Sequence, residues 1–114
     1  MNTVATVLSP WQAGLRVLLK SEIREQVVSN TTDPTFTAIW TRRPSDFVET
    51  ETKKLTEDCW EHFPAWLREY EEKHWASPLA DTWDKFSSTE KRAVALNFKE
   101  YFYKKTGLHK RAQA

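Results

Sequence analysis

One segment of the chain, residues 87–108, carries the signals for both ends of a single helix. Ser87 is followed three residues later by Glu90, the spacing of a capping box, in which each side chain accepts a hydrogen bond from the other residue's backbone N–H. At the far end, two lysines complement the carbonyl end of the helix, and Gly107 supplies the left-handed residue that terminates it. This helix is therefore the best-defined element of the chain.

The same helix is rich in apolar side chains. Between its caps lie Ala93, Val94, Ala95, Leu96, Phe98, Tyr101, Phe102 and Tyr103. This is more apolar surface than one stripe requires, which indicates that the helix is covered on more than one side. We therefore expect it to be the central helix, against which the other helices pack.

Apolar spacing predicts four further helices, and with them a mainly α fold: a small single-domain helical bundle that spans the whole chain. The predicted helices cover residues 10–29, 45–63, 64–76, 78–86 and 88–106. Ser9 and Pro10 are typical of an N-cap and a first helical residue. Pro64 predicts a kink, or the meeting of two helices, near His62. Gly14 weakens the first turn of its helix or marks the close approach of another backbone.

Two segments break the helical pattern. The Thr- and Val-rich residues 1–8 predict an extended arm or short strand, and the alternation near 35–41 predicts a second short extended element. The two segments can pair as a two-stranded β element in the N-terminal third, which needs helices behind it to be stable. Residues 109–114 form a short basic tail.

The composition excludes several classes of protein. A chain of 114 residues with 39% hydrophobic and 29% charged residues is typical of one soluble globular domain. No apolar run approaches the roughly 18 residues of a membrane span, and the N-terminus has no secretory signal pattern. One cysteine, Cys59, excludes an internal disulfide framework and suits a reducing compartment, so we expect a cytoplasmic protein that does not bind membranes.

Catalytic and metal-binding motifs are represented only by isolated pairs. Cys59 and His62 share a helix face, as a nucleophile pair or half of a zinc site would, but the remaining ligands are missing. Glu71 and His74 have the E-x-x-H spacing of carboxylate-bridged metal bundles, which need a second copy of the motif. Two glycines in the whole chain exclude glycine-rich phosphate loops. We therefore predict a protein that is not an enzyme and has no cofactor, metal site or small-molecule substrate.

Charge is divided unevenly along the chain, although the net charge is only +1. Residues 44–84 contain eleven acidic and four basic residues, whereas residues 87–114 contain seven basic and two acidic ones. One interpretation is that acidic and basic faces of neighbouring helices match each other within the fold. The other is that the chain presents two surfaces of opposite sign to two partners.

Six tryptophans are unusual in a chain of this length. They are either core residues, or two or three of them anchor a partner, because Trp and Tyr dominate interface hot spots. We predict a non-enzymatic protein-binding module, such as a small inhibitor, adaptor or accessory subunit of the kind found in phages and mobile elements. It would bind a larger host enzyme or complex, for instance a nucleic-acid-processing one, through an acidic, Trp-rich helical surface. The predicted partner-binding residues are Trp66, Tyr70, Trp75, Trp83, Glu69, Glu71 and Glu72.

Nucleic-acid binding by the basic C-terminal helix and tail is the alternative function. Basic residues interleaved with tyrosines can hold phosphates and stack bases. The residues that would do so are Arg42, Arg43, Lys99, Lys104, Lys105, Lys110 and Arg111. Against this alternative, the pI of about 7.9 is low for a dedicated nucleic-acid binder, and the acidic middle of the chain would repel a duplex.

Overall fold

The computed structural model describes residues 8–31, 44–74 and 78–108, and these are almost entirely helical. The α-helices in these ranges are α1 Pro10–Thr31, α2 Pro44–Trp60, α3 Phe63–His74, α4 Leu79–Thr82 and α5 Ser88–Thr106. A 3-10 turn, Trp83–Lys85, follows α4 directly. The described ranges contain no strand, and the prediction of a mainly α fold is confirmed. The predicted β element near 35–41, residues 1–7 of the predicted arm and the tail at 109–114 lie outside the described residues.

The predicted break near Pro64 is confirmed. Helix α2 ends at Trp60 and α3 begins at Phe63, so Pro64 is the second residue of α3. The first four N–H groups of a helix have no partner within it, and a proline there breaks no hydrogen bond. The predicted helix at 78–86 is shorter than expected, because α4 has four residues and then passes into the 3-10 turn.

Both predicted ends of α5 are confirmed. The Glu90 N–H donates to Ser87 Oγ at 3.2 Å, and the Ser87 N–H donates to Glu90 Oε1 at 2.9 Å, which completes the capping box. At the C-terminal end, Gly107 adopts a left-handed conformation with φ 78°. Its N–H donates to the carbonyl oxygen of Lys104 at 3.4 Å, which satisfies one of the last free carbonyls of the helix.

The predicted start of α1 is confirmed, with Ser9 as the N-cap and Pro10 as the first helical residue, although the Ser9 side chain does not close the turn. Ser9 does stand at the N-cap position, since its carbonyl accepts the Ala13 N–H at 3.0 Å. The side chain that closes the turn is that of Gln12, whose Oε1 accepts the Ser9 N–H at 3.2 Å. The Ser9 hydroxyl is buried and has no hydrogen-bond partner in the described part of the chain. The hydrogen bond from the Ser9 N–H to Gln12 is therefore only one half of a capping box.

Helix α1 makes the most extensive contacts with other helices, since it packs along both α2 and α5. Helix α5 contacts α1 and, less extensively, α3. The Phe98 ring of α5 also lies 6.0 Å from the Trp60 ring of α2, so α5 shares the predicted central position with α1. The stripe of α1 is completely buried at Leu15, Leu19 and Ile23, and α5 is completely buried at Ala95 and Phe98. Part of the apolar surface of α5 stays near solvent, where Lys105 Nζ lies 5.4 Å from the ring centroid of half-buried Tyr101.

Aromatic rings fill the middle of the core. Trp66 stacks on Phe98 with ring centroids 4.4 Å apart, and Trp60 stacks on Phe63 at 4.6 Å. The guanidinium of Arg16, on α1, lies 5.6 Å from the Trp60 ring centroid. Such ring pairs contribute about 0.5–1.5 kcal/mol each beyond the area that they bury, so the tryptophans stabilise the fold itself.

Gly14 marks a close approach, but to a side chain and not to a backbone as predicted. A Cβ atom at this position would lie 3.4 Å from Nε1 of Trp83. The same indole contacts Trp11, with ring centroids 6.2 Å apart. The missing side chain of Gly14 thus leaves room for the 3-10 turn to set its tryptophan against α1.

Ion pairs connect α1 to both of its neighbours. Arg92 of α5 donates from Nε to Glu22 Oε2 at 2.7 Å, and its Nη2 lies 3.5 Å from Glu25 Oε2. Arg24 of α1 lies 3.5 Å from Glu49 of α2. Acidic and basic side chains therefore do match within the fold, and they do so through α1.

Candidate partner-binding groove

An open groove runs between the second half of α3 and the first half of α5. Its volume is about 330 Å³. The residues that line it are Tyr70, His74, Phe86, Glu90, Ala93, Val94 and Asn97. Three of these are ring side chains, and Glu90 is the lone carboxylate in this lining set, which contains no lysine or arginine.

The α3 wall of the groove is a short stack of rings. Tyr70 and His74 are one helical turn apart, and their ring centroids lie 4.1 Å apart with an interplanar angle of 23°. The His74 ring is also held by its Nδ1, which is 2.9 Å from the Tyr70 carbonyl oxygen. Trp66 lies behind Tyr70 at 5.2 Å. Burial of the phenol raises the pKa of Tyr70, so its hydroxyl remains a neutral donor at physiological pH.

A hydrogen bond through the core orients the α5 wall. Trp66 Nε1 donates to Asn97 Oδ1 at 2.9 Å. Because an indole N–H can only donate, the carbonyl oxygen of the Asn97 side chain must face the tryptophan. The NH2 group of Asn97 then points away from Trp66 and has no partner among the described residues.

The carboxylate of Glu90 provides a fixed negative charge at the edge of the groove. Its Oε1 is occupied by the Ser87 N–H, and this hydrogen bond lowers the pKa of Glu90. The second oxygen, Oε2, takes no part in the capping box. Glu90 is therefore both the N3 residue of the capping box of α5 and an ionised group on a surface that faces α3.

No protein-family model, curated protein or solved structure matches the chain. Within the described ranges, no helix is long and apolar enough to cross a membrane.

Two of the predicted tryptophan anchors are core residues, and this corrects the prediction. Trp66 is 1% exposed and Trp83 is 4% exposed. Each is enclosed for a specific reason: Trp66 stacks on Phe98 and donates to Asn97, while Trp83 occupies the space beside Gly14. Neither indole is available to a partner in this structure.

The other predicted partner-binding residues are distributed unevenly around the groove. Tyr70 lines it, whereas Trp75 lies outside the described residues. Glu71 is half-buried and its Oε2 accepts the Leu79 N–H at 2.8 Å, so this carboxylate connects α3 to the start of α4. Glu69 and Glu72 are exposed on α3. Of the predicted partner-binding residues that the structure describes, Tyr70 alone lines the groove.

The α5 half of the groove was missed by sequence reasoning, although a signal was present. Glu90, Ala93, Val94 and Asn97 are spaced by three, four and seven residues, which places them on one face of a helix. The sequence pattern predicts Glu90 as a capping-box residue and Val94 as a core residue, and the structure shows both of these roles in addition to their place in the groove lining. A helix face that carries both apolar and polar side chains, beside an aromatic stripe on another helix, is the feature that indicates a groove.

Three residues of the predicted nucleic-acid surface lie in the described part of the chain, all of them on α5. Lys99 and Lys105 lie over the rings of Tyr103 and Tyr101, with Nζ 5.7 Å and 5.4 Å from the respective centroids. Lys104 is exposed in the last turn of α5. The remaining members of the set, Arg42, Arg43, Lys110 and Arg111, lie outside the described residues.

The isolated catalytic pairs have structural roles. Cys59 is completely buried, and burial raises the pKa of its thiol to about 12, so the thiol stays protonated at neutral pH. The His62 ring packs against Phe102, with centroids 5.5 Å apart. No group of three or more potential metal ligands occurs in the part of the chain that the structure describes.

Proposed function

We propose that the chain is a non-enzymatic protein-binding module, such as a small inhibitor, adaptor or accessory subunit, which receives a segment of a larger protein in the groove between α3 and α5. The observation that carries this proposal is the combination of exposed ring surface and a fixed carboxylate in one open groove. Aromatic residues are enriched at protein interfaces, where they supply large, rigid contact area.

The charges around the groove favour a basic segment of the partner. Glu90 is ionised, and the lining contains no cationic lysine or arginine to compensate for it. Glu69 and Glu72 are exposed on α3 but do not line the groove, so Glu90 alone supplies the negative charge of the lining. Complementary charge raises association rates and rejects partners of the same sign.

The test of this proposal uses one exposed alanine in the groove and one outside it. Tagged protein would capture partners from its source cell, and each would be identified, purified and measured for affinity. Ala93 is exposed and lines the groove, so Ala93→Arg fills the groove and offsets the negative charge of Glu90. Ala13 is exposed on α1 and does not line the groove, so Ala13→Arg is the matched control.

We expect Ala93→Arg to weaken binding of the true partner by about tenfold or more, which corresponds to ~1.4 kcal/mol, and Ala13→Arg to leave it unchanged. Circular dichroism would confirm that both variants remain helical. Equal affinity of the wild type and Ala93→Arg for every purified partner would show that the groove is not the binding site.

The nucleic-acid alternative is tested in the same series with a bare 20-base-pair duplex. If the basic end binds DNA, affinity should fall steeply with salt, and Lys104→Gln/Lys105→Gln should reduce that slope. We expect only weak, non-specific binding, because Lys105 already lies over Tyr101. A tight complex whose salt slope is reduced by the double substitution would favour the alternative over the protein-binding module.

A further inference from the structure

We infer that the occupant of the groove is an arginine side chain of the partner, with its guanidinium against the Tyr70 and Phe86 rings and its charge paired with Glu90. This inference rests on the proposed function and specifies the chemistry that the same groove recognises. It concerns one side chain because the groove, at about 330 Å³, is at the small end of the range for ligand pockets, roughly 300–1,000 Å³.

The ring surface suits a planar cation. Tyr70, His74 and Phe86 all line the groove, and the first two are fixed by their mutual stacking. A guanidinium is planar and weakly hydrated, and it stacks on aromatic rings more readily than an ammonium does. The chain uses the same contact internally, since Arg16 lies over the Trp60 ring.

The carboxylate is placed to accept that cation. Glu90 Oε1 is held by the Ser87 N–H, which fixes the side chain and leaves Oε2 for a donor from outside. The two cations that follow Glu90 in the sequence are committed elsewhere: Lys91 Nζ lies 5.5 Å from the Trp83 ring centroid, and Arg92 is paired with Glu22. Neither therefore neutralises Glu90 from within the chain.

The remaining lining residues fit the rest of an arginine residue. Exposed Ala93 provides apolar surface, against which the methylene stem of a long charged side chain packs, whereas Val94 lines the groove but is only 3% exposed. The NH2 group of Asn97, which is turned away from Trp66, is a donor for a carbonyl oxygen of the partner's backbone. A purely apolar occupant would cover the rings but would offer no donor to Glu90 Oε2.

The test compares two small probes that differ in charge but hardly in shape, Nα-acetyl-arginine amide and Nα-acetyl-citrulline amide. Both would be titrated into the isotope-labelled protein and followed by NMR at Tyr70, Ala93 and Val94. We expect the arginine probe to shift these resonances saturably in the millimolar range, and the citrulline probe to bind at least about fivefold more weakly. Absence of groove shifts with the arginine probe, or equal binding of the two probes, would overturn the inference.

Glu90→Gln isolates the contribution of the charge. Glutamine also completes a capping box, so the variant keeps the start of α5 while it removes the negative charge from the groove. We expect Glu90→Gln to abolish the preference for arginine over citrulline. The matched control is Glu72→Gln, an exposed position on α3 outside the groove lining, which should retain the preference.

Affinity measurements with the purified protein partner, instead of the probes, distinguish failure of the proposed arginine occupant from failure of the proposed function. Binding that is weakened by Ala93→Arg but unchanged by Glu90→Gln would retain the protein-binding groove and overturn the arginine occupant. Binding that is unchanged by both substitutions would overturn the proposed function as well. Binding weakened by both supports the two together.

Discussion

Replacing Arg92 by methionine should destabilise the protein far more than an ordinary surface substitution. The Glu22 side chain is only 8% exposed, and Arg92 Nε donates to it at 2.7 Å. Arg92→Met keeps most of the aliphatic stem but leaves the Glu22 carboxylate between α1 and α5 without this ion pair. The variant therefore measures mainly the cost of that unpaired carboxylate, since the packing of the stem is conserved.

The size of the effect follows from the exposure of the two partners. Removal of one partner from a fully buried ion pair costs roughly 3–5 kcal/mol. Arg92 is 56% exposed, so water reaches the Glu22 carboxylate from one side. We therefore expect a loss of about 2 kcal/mol, nearer to the cost of a buried polar group without its hydrogen bond. The second contact of Arg92, to exposed Glu25 at 3.5 Å, should add less than about 0.5 kcal/mol.

Urea unfolding followed by circular dichroism measures this loss, with Arg24→Met as the control. Arg24 and Glu49 also join two helices, but their side chains are 54% and 68% exposed, so we expect a change below about 0.5 kcal/mol. The double variant Glu22→Met/Arg92→Met should recover at least about half of the loss, because it removes the carboxylate as well. Equal losses for Arg92→Met and Arg24→Met, or no recovery in the double variant, would refute this account.

Two further predictions concern the core. Gly14→Ala should raise the free energy of unfolding by about 0.5 kcal/mol, since the gain in helix propensity exceeds the cost of a Cβ contact at 3.4 Å with Trp83. Gly14→Leu should lower the free energy of unfolding, because the larger side chain overfills this space. Urea unfolding measures both variants, and a destabilised alanine variant would contradict the prediction. Burial raises the pKa values of Cys59 and Tyr103 to about 12, so these groups ionise first in the unfolded chain. The stability measured by thermal unfolding should therefore fall as the pH rises from about 9 to about 12. Cys59→Ala should reduce this pH dependence, and an unchanged slope would contradict the role of the buried thiol.

Local signals predicted much of the helix framework. The capping box at Ser87 and Glu90 and the left-handed Gly107 depend on residues within a few positions of one another, and all three are found as expected. The break at Pro64 depends only on the chemistry of proline. In each case, neighbouring residues contain all the information that determines the conformation.

Burial of individual tryptophans could not be predicted in the same way. Trp83 is enclosed because Gly14, distant in the sequence, leaves space for its indole, and Trp66 is enclosed because Asn97 of α5 accepts its N–H. Both depend on complementary residues of another helix, which periodicity does not identify. The groove also depends on residues of two helices, because Glu90 of the capping box lines it only when α5 lies beside Tyr70 of α3.

The pairing of α1 with α5 also determines when this protein can acquire its structure. Glu22 and Arg92 are 70 residues apart in the chain, so the contact closes a long loop and its entropic cost is met before the two helices stabilise each other. During synthesis, α1 leaves the ribosome before α5 and cannot pack against it until α5 follows. The groove needs α5 as its second wall, so a nascent chain that stops before α5 would lack the groove.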